Sequence, residues 1–147
     1  MTRLSERIKH KKNAPLPPPP SGDDRAALGR WGEEAAARRL VEEGYTILGR
    51  NCRRNGHEVD ILARVGADLV FCEVKTRSER AGVEPFCPPG RLVSPRQRRH
   101  LRTAASGALS PEDERRIRFD VVEVVVRRSD DGEPDVEIRH LTDAFRS

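Results

Sequence analysis

No stretch of the 147 residues approaches the roughly 18 consecutive apolar side chains that a membrane-spanning helix requires. The basic start is followed by prolines rather than by an apolar segment, so a secretory signal is not expected and the cytoplasm is the expected compartment. Cysteine is scarce: Cys52, Cys72 and Cys87 form an odd set with no CxxC spacing. That excludes a disulfide framework and a zinc ribbon and leaves reduced thiols as the expectation. Neither GxxxxGK[ST] nor GxGxxG occurs, and His57-Glu58 meets Ile61 where a zincin helix needs its second histidine. Aromatics are few, with one Trp, one Tyr and four Phe. Base stacking as in single-strand binders is therefore poorly supported, and backbone or shape recognition fits any nucleic acid better.

Lysine is scarcer than its charge class suggests. The 28 basic residues include only four lysines, Lys9, Lys11, Lys12 and Lys75. Three lie near the start, so Lys75 is the one lysine of the body. Lysine is a compact point charge whose pKa shifts on burial, unlike the planar, always charged guanidinium. The net charge of +4 also sits at the start. Residues 1–22 carry Arg3, Arg7, Lys9, Lys11 and Lys12 against Glu6, and the remainder is balanced, so the high pI does not make the body basic.

The length suits one domain. Residues 1–22 read as a disordered basic, Pro-rich arm with no apolar face to bury, and 23–147 as the folded domain. A helix is expected over 24–43, capped by Asp23 or Asp24 and closed by Gly44. Its stripe is Trp31, Ala35, Leu28, Gly32, Ala36 and Leu40, with Glu33 at the edge; Gly29 and Gly32 would admit a second backbone. Strands are expected over 45–50, 57–64 and 68–75, with a turn at Gly66-Ala67. A long mobile loop spans 76–93. A helix over 95–109 begins with Ser94 as N-cap, Pro95 and Gln97 in a capping-box pattern. Strands over 117–126 and 135–141 close the chain. Together they make one α/β domain: helix, three antiparallel strands, helix, a strand reached by a right-handed crossover, and an edge strand.

Strand alternation gathers the chemistry. Glu58, Asp60 and Leu62 share one face of their strand, with Val59, Ile61 and Ala63 on the other; Leu69, Phe71, Glu73 and Lys75 share one face of the next. In the right register Asp60, Glu73 and Lys75 meet. Two carboxylates converging from adjacent strands offer hard oxygen ligands that suit Mg²⁺ or Mn²⁺. A lysine two residues beyond the second carboxylate lands beside them, where it can stabilise a pentacovalent phosphate or assist an attacking water. The chemistry this suits is metal-assisted phosphodiester hydrolysis. The plain alternative is a polar strand face with a surface Glu–Lys pair, but an inward charged trio costs several kcal/mol unless compensated.

Gly29-Arg30-Trp31-Gly32-Glu33, Glu58-Val59-Asp60, Leu69 through Arg77, Ser94-Pro95-Arg96-Gln97, Arg118 through Val122 and Asp143-Ala144-Phe145 resemble the YraN-like family of uncharacterised bacterial proteins. That family is similar to archaeal Holliday-junction resolvases. The resemblance implies the PD-(D/E)XK, restriction-endonuclease-like fold, with a mixed sheet in a helix-strand-strand-strand-helix-strand core. It implies metal ligation by Glu33, Asp60 and Glu73, and catalytic roles for these three with Lys75 and Gln97; Glu58 matches a family glutamate of less defined role. The chain departs from the pattern at His57, where Gly is usual, at Cys72 for Val, and at Arg96 for Lys. The acidic trio and Lys75 are intact.

Residues 86–111 hold no acidic side chain but carry Arg91, Arg96, Arg98, Arg99 and Arg102 with His100. This basic cluster is a candidate tracker of backbone phosphate, or else a solvated helix face. The expected function is thus a Mg²⁺- or Mn²⁺-dependent nuclease acting on DNA, with branched DNA as a candidate substrate. Two alternatives stand beside it: a non-catalytic nucleic-acid-binding protein that keeps the fold, and a protein-interaction module of DNA-processing complexes. A branched substrate would favour a homodimer, though no sequence feature specifies one.

Overall fold

Helix α1 runs over Arg25–Glu42. Asp24 starts it by accepting the Ala27 N–H at 3.0 Å, which satisfies one of the unpaired donors of the first turn. Gly44, at φ +93°, ends it. The Gly44 N–H reaches the Val41 carbonyl and the Tyr45 N–H the Leu40 carbonyl, the paired closure that a left-handed residue permits. The buried side is Leu28, Trp31, Gly32, Ala35, Ala36 and Leu40, as expected, joined by Ala37. The computed structural model describes residues 15–80, 88–130 and 132–146; Cys87 and most of the basic arm lie outside them.

Five strands follow in one sheet: β1 (Thr46–Arg54), β2 (His57–Val65), β3 (Asp68–Arg80), β4 (Arg116–Arg128) and β5 (Asp135–Phe145). Their order is β1-β2-β3-β4-β5. The pair β3–β4 is parallel and the other pairs are antiparallel. A single turn, α2 (Pro89–Leu92), and helix α3 (Pro95–Ala105) stand between β3 and β4. The chain is therefore an α/β protein with a mixed sheet and one long helix on each face.

Several elements differ from the sequence expectation, each for a physical reason. β1 continues to Arg54 because Asn55 and Gly56, at φ +51° and +81°, form a two-residue hairpin turn. β3 runs on through Arg80, inside the segment expected to be a loop, because β4 pairs with it in parallel from Asp68↔Arg116 to Arg80↔Arg128. Pro89–Leu92 is helical, so of that expected loop only 81–87 falls outside the described residues. Helix α3 stops at Ala105, short of Leu109. Gly107 takes φ +73°, and the β1–β2 turn seals the end: the Asn55 side chain donates to the Thr103 and Ser106 carbonyls, and Arg54 to that of Ala104. β5 extends to Phe145 through a register shift opposite Asp120, with Asp143 at φ +52°.

Each face of the sheet carries its own core. On one, Leu28, Trp31, Ala36 and Leu40 of α1 pack on Ile61, Ala63, Val70, Cys72, Val122, Val124 and Val126. On the other, Leu92, Val93, Leu101 and Ala104 pack on Val59, Leu69, Phe71, Phe119, Val121 and Phe145. Val59 thus departs from strict alternation: it belongs to the α3 side, whereas Ile61 and Ala63 belong to the α1 side. Cys52 and Cys72 are free thiols. No helix of the described residues is long and apolar enough to cross a membrane.

Gly32 is the point of closest approach between α1 and the sheet. A Cβ built there would lie 1.9 Å from Thr76 Oγ1 and 2.7 Å from Thr76 Cβ. Threonine is branched at Cβ, so no rotamer clears the space. Gly29, by contrast, has nothing within 4 Å of its virtual Cβ, so it does not serve the close approach expected of it. Gly32→Ala is expected to destabilise the fold by about 1–3 kcal/mol, overpacking outweighing the better helix propensity of alanine. Gly29→Ala should be neutral or stabilising. Urea unfolding of the two variants checks the contrast.

Candidate active site

The site forms where β2 and β3 part. Their ladder runs from Val65↔Asp68 to Ile61↔Cys72 and stops one residue short of Asp60 and Glu73. The Val74 N–H does not go unpaired there: it donates to Asp60 Oδ2 at 2.9 Å. The carboxylate of Asp60 thereby takes the place of a ladder carbonyl and lies against Glu73, with which it shares a hydrogen bond. Lys75 Nζ stands 3.2 Å from Glu73 Oε1. Asp60, Glu73 and Lys75 do meet, as the strand pattern allowed in the right register.

Burial and the nearby Asp60 charge push Glu73 up to about 7, against the pull of Lys75. Burial raises Asp60 as well, opposed by the Val74 N–H and by Lys75. Both shifts run the same way, so burial and mutual repulsion make full ionisation of this pair costly without a cation. Glu33 enters from α1 beside β1. Burial and then Asp60 raise its pKa, while hydrogen bonding to Asn51 and the charge of Arg50 lower it. Among the described residues no group of three or more His, Cys, Asp or Glu is placed to hold one metal ion. Glu33, the third ligand the family resemblance implies, is tied to Asn51. Neither Asn51 nor Arg50 stood out in the sequence; Arg50 also pairs with Glu34 at 2.7 Å.

A further carboxylate floors the site. Glu123 on β4 pairs in register with Lys75 on β3 and with Arg139 on β5, so the three side chains cross the sheet in one row. Its side chain is 1% exposed, 2.8 Å from Arg139 and 3.5 Å from Arg77 Nε. A buried carboxylate is costly unless paired, and two guanidinium groups pair this one. The sequence carried a sign of it: a lone acid inside Val121-Val122-Glu123-Val124-Val125-Val126.

Gln97 completes the expected capping box: its Oε1 accepts the Ser94 N–H at 2.9 Å while Ser94 Oγ accepts the Gln97 N–H. That cap is the role the structure displays. The arginine cluster divides into two sets. Arg98 and Arg102 stack over the Phe145 ring at 5.6 and 5.7 Å and donate to the Val93 and Arg146 carbonyls. They pin the C-terminal strand to α3. Arg91, Arg96 and Arg99 are exposed, and so is Arg102 beyond its contact with the ring. His100 stacks on His57 at 4.4 Å between ring centroids, joining the rim of α3 to β2.

One register step from Glu73, on β4 opposite Cys72, a polar network is centred on Asp120, which is fully buried. It accepts from Tyr45 Oη, Arg118, His140 Nε2 and the Asp143 N–H, all within 2.8–2.9 Å. Burial alone would raise its pKa; these donors outweigh burial and hold it well below the usual carboxylate range. Burial would likewise lower His140, but hydrogen bonds to Asp120 and Glu43 raise it. The folded state therefore favours charged His140. That contribution is full below the unfolded value near 6.5 and is lost as pH rises through the higher folded value. Wild type is thus expected to lose stability to urea as pH rises above about 6.5, and His140→Gln should flatten that part of the profile.

The fold and this site define a class: a mixed α/β protein with an adjoining carboxylate pair and a lysine where two strands diverge. The model of the uncharacterised protein family UPF0102 matches residues 32–124. A UPF0102 protein of Frankia alni is 44% identical over 120 residues, covering 81% of this chain and 94% of its own length. One from Chlorobium phaeobacteroides is 37% identical over 121 residues, covering 80% and 93%. One from Anaeromyxobacter dehalogenans is 45% identical over 125 residues, covering 84% and 87%. The chain belongs to the UPF0102, YraN-like family.

Proposed function

We propose that this protein is a metal-dependent nuclease with a restriction-endonuclease-like core, hydrolysing phosphodiester bonds of DNA. The observation that carries the reading is the convergence of Asp60, Glu73 and Lys75 where the β2–β3 ladder opens. Two half-buried carboxylates side by side make an unfavourable pair on their own, and a hard divalent cation relieves it. Mg²⁺ is commonly held by one or two protein carboxylates together with substrate phosphate, so Asp60 and Glu73 suffice as its ligands. The cation would neutralise charge on the phosphate and make a water easier to deprotonate. Asp60, fixed by the Val74 N–H, presents its carboxylate without rearrangement. Glu73, whose pKa is raised, must be deprotonated to bind a cation, so metal binding should strengthen as pH rises. Lys75 supplies an ammonium for a non-bridging phosphate oxygen, and Glu123 keeps Arg77 and Arg139 beside it.

The duplex or junction would be gripped at its phosphates by the exposed arginines. Arg96→Ala and Arg99→Ala together should weaken binding across sequences and lower the salt slope by about one unit for each phosphate no longer neutralised. Arg98→Ala and Arg102→Ala should act mainly on stability, because each removes a guanidinium from the Phe145 ring. Binding measured at several salt concentrations, with urea melts of the same variants, separates the two sets. The deciding experiment for the reaction is a cleavage assay on linear, flap and four-way-junction DNAs with Mg²⁺, Mn²⁺ or EDTA. Cleavage that EDTA stops supports the reading. Salt-sensitive binding with no cleavage on any substrate replaces it with a non-catalytic nucleic-acid-binding protein.

A further inference from the structure

The edge of α1 that faces β5 carries a feature that the carboxylate site does not use. Residues 15–20 lie against it rather than apart from the body. The Trp31 indole Nε1–H donates to the Pro17 carbonyl at 2.7 Å. The Arg128 guanidinium donates to the Pro20 carbonyl and, at 2.9 Å, to Ser78 Oγ. Leu16 packs against the α1-side core. The chain then turns at Gly22, whose virtual Cβ would lie 2.9 Å from Ser78 Oγ, and enters α1.

The carbonyls read by Trp31 and Arg128 are three residues apart, which is one turn of a polyproline II helix, so both face the body. Proline cannot donate a backbone hydrogen bond, but its carbonyl is a full acceptor, and four successive prolines hold the segment extended at little entropic cost. An aromatic donor and a cation along a groove are the means by which proline-rich segments are recognised in general. The two hydrogen bonds recognise backbone, and the Leu16 side chain adds an apolar contact. The fit is also incomplete: between Pro17–Pro19 on one side and Trp31, Ala35, Val136 and Ile138 on the other, an open groove of about 490 Å³ remains.

We propose that α1 and β5 form a docking groove for a proline-rich, polyproline II segment of a partner protein, and that Leu16–Pro20 is its built-in competitor. The arm shields Trp31 in the free protein. A partner segment with carbonyls at the same three-residue spacing displaces it and takes over the Trp31 and Arg128 hydrogen bonds. Because the arm is tethered a few residues away, its effective concentration is of the order of millimolar, so a partner must bind well or present several such segments.

Trp31 is the single tryptophan of the chain, so its fluorescence reports the groove directly. In the full-length chain, Leu16 and Pro17–Pro20 are replaced by Ser, and a synthetic peptide with the sequence of residues 14–21 is titrated in. The variant is expected to show red-shifted, more quenchable emission, which the peptide reverses saturably while an all-Ser peptide of equal length does not. On wild type the same peptide should bind at least about tenfold more weakly, the arm being in the way. Arg128→Ala, made in the Ser-substituted arm, should weaken peptide binding severalfold; made alone, it should loosen the arm and serves as the readout if the multiple variant fails to fold. Unchanged Trp31 emission on arm replacement, or peptide binding equal in wild type and variant, overturns the proposal. A concentration-dependent wild-type dimer that the peptide dissociates also overturns it, assigning the groove to arm exchange between two copies. None of these readouts depends on nuclease activity.

Discussion

Asp60→Asn is expected to abolish both divalent-cation binding and cleavage while leaving the fold nearly as stable as wild type. The carboxylate of Asp60 has two separable duties. Its Oδ2 accepts the Val74 N–H where the β2–β3 ladder ends. Its charge pairs with Glu73 and, on the proposed reading, with a cation. Asparagine keeps the acceptor and removes the charge. Asp60→Ala removes both, leaving the Val74 N–H without its partner at a cost of about 1–3 kcal/mol. The two variants should therefore agree in function and differ in stability. Loss of a metal ligand should lower the cleavage rate by at least about 10³-fold. Mn²⁺ calorimetry, cleavage rates and urea melts on both variants make the comparison. Glu73 provides an internal check: with the neighbouring charge gone its pKa falls below about 7, while burial, the larger cause, still holds it above the ordinary carboxylate value. Asp60→Asn that still binds Mn²⁺ and cleaves would place the metal elsewhere.

What could be read from the sequence was what local chemistry dictates. Asp24, Gly44 and the Ser94–Gln97 box declare helix ends through hydrogen bonds within four residues, and all three appear in the structure. The α1 stripe and the meeting of Asp60 with Glu73 followed from periodicity. The turn at Asn55-Gly56 is equally local, a strong hairpin signature that sets how far β1 runs, yet the expected strand ended short of it. Other features are set at a distance. The end of α3 depends on the Asn55 side chain from the β1–β2 turn, some 50 residues away in sequence. The length of β3 depends on β4, which becomes its partner only after the crossover. Asp120 gathers Tyr45, Arg118 and His140 from three elements, and no spacing rule links them. Within the arginine cluster, charge alone could not tell Arg98 and Arg102, which lie over Phe145, from the exposed Arg96 and Arg99.

Lys75 tests whether a composition signal has chemical content. The body writes every other cation as arginine, so an Arg at this position would have matched the rest of the chain. The structure places Lys75 Nζ 3.2 Å from Glu73, with Glu123 and Arg139 in the same transverse row. Arg77 and Arg139 already flank the buried Glu123. A third guanidinium in that row would be larger and planar, with its charge spread over three nitrogens, where a compact ammonium now fits beside a carboxylate. Lys75→Ala is expected to reduce cleavage by about 10²–10³-fold or more, as for removal of a group that stabilises charge in the transition state. Mn²⁺ binding should survive, because Asp60 and Glu73 remain. Lys75→Arg should keep the positive charge and DNA affinity yet recover little of the rate, so the loss should fall on kcat rather than on KM. The variant also separates the two readings of the fold. In a protein that only binds nucleic acid, Lys75→Arg is silent and Lys75→Ala removes one phosphate neutralisation at most, seen as a small change in salt slope. Full cleavage by Lys75→Arg would show that the site needs a charge there and not an ammonium, and would remove the lysine from the chemistry.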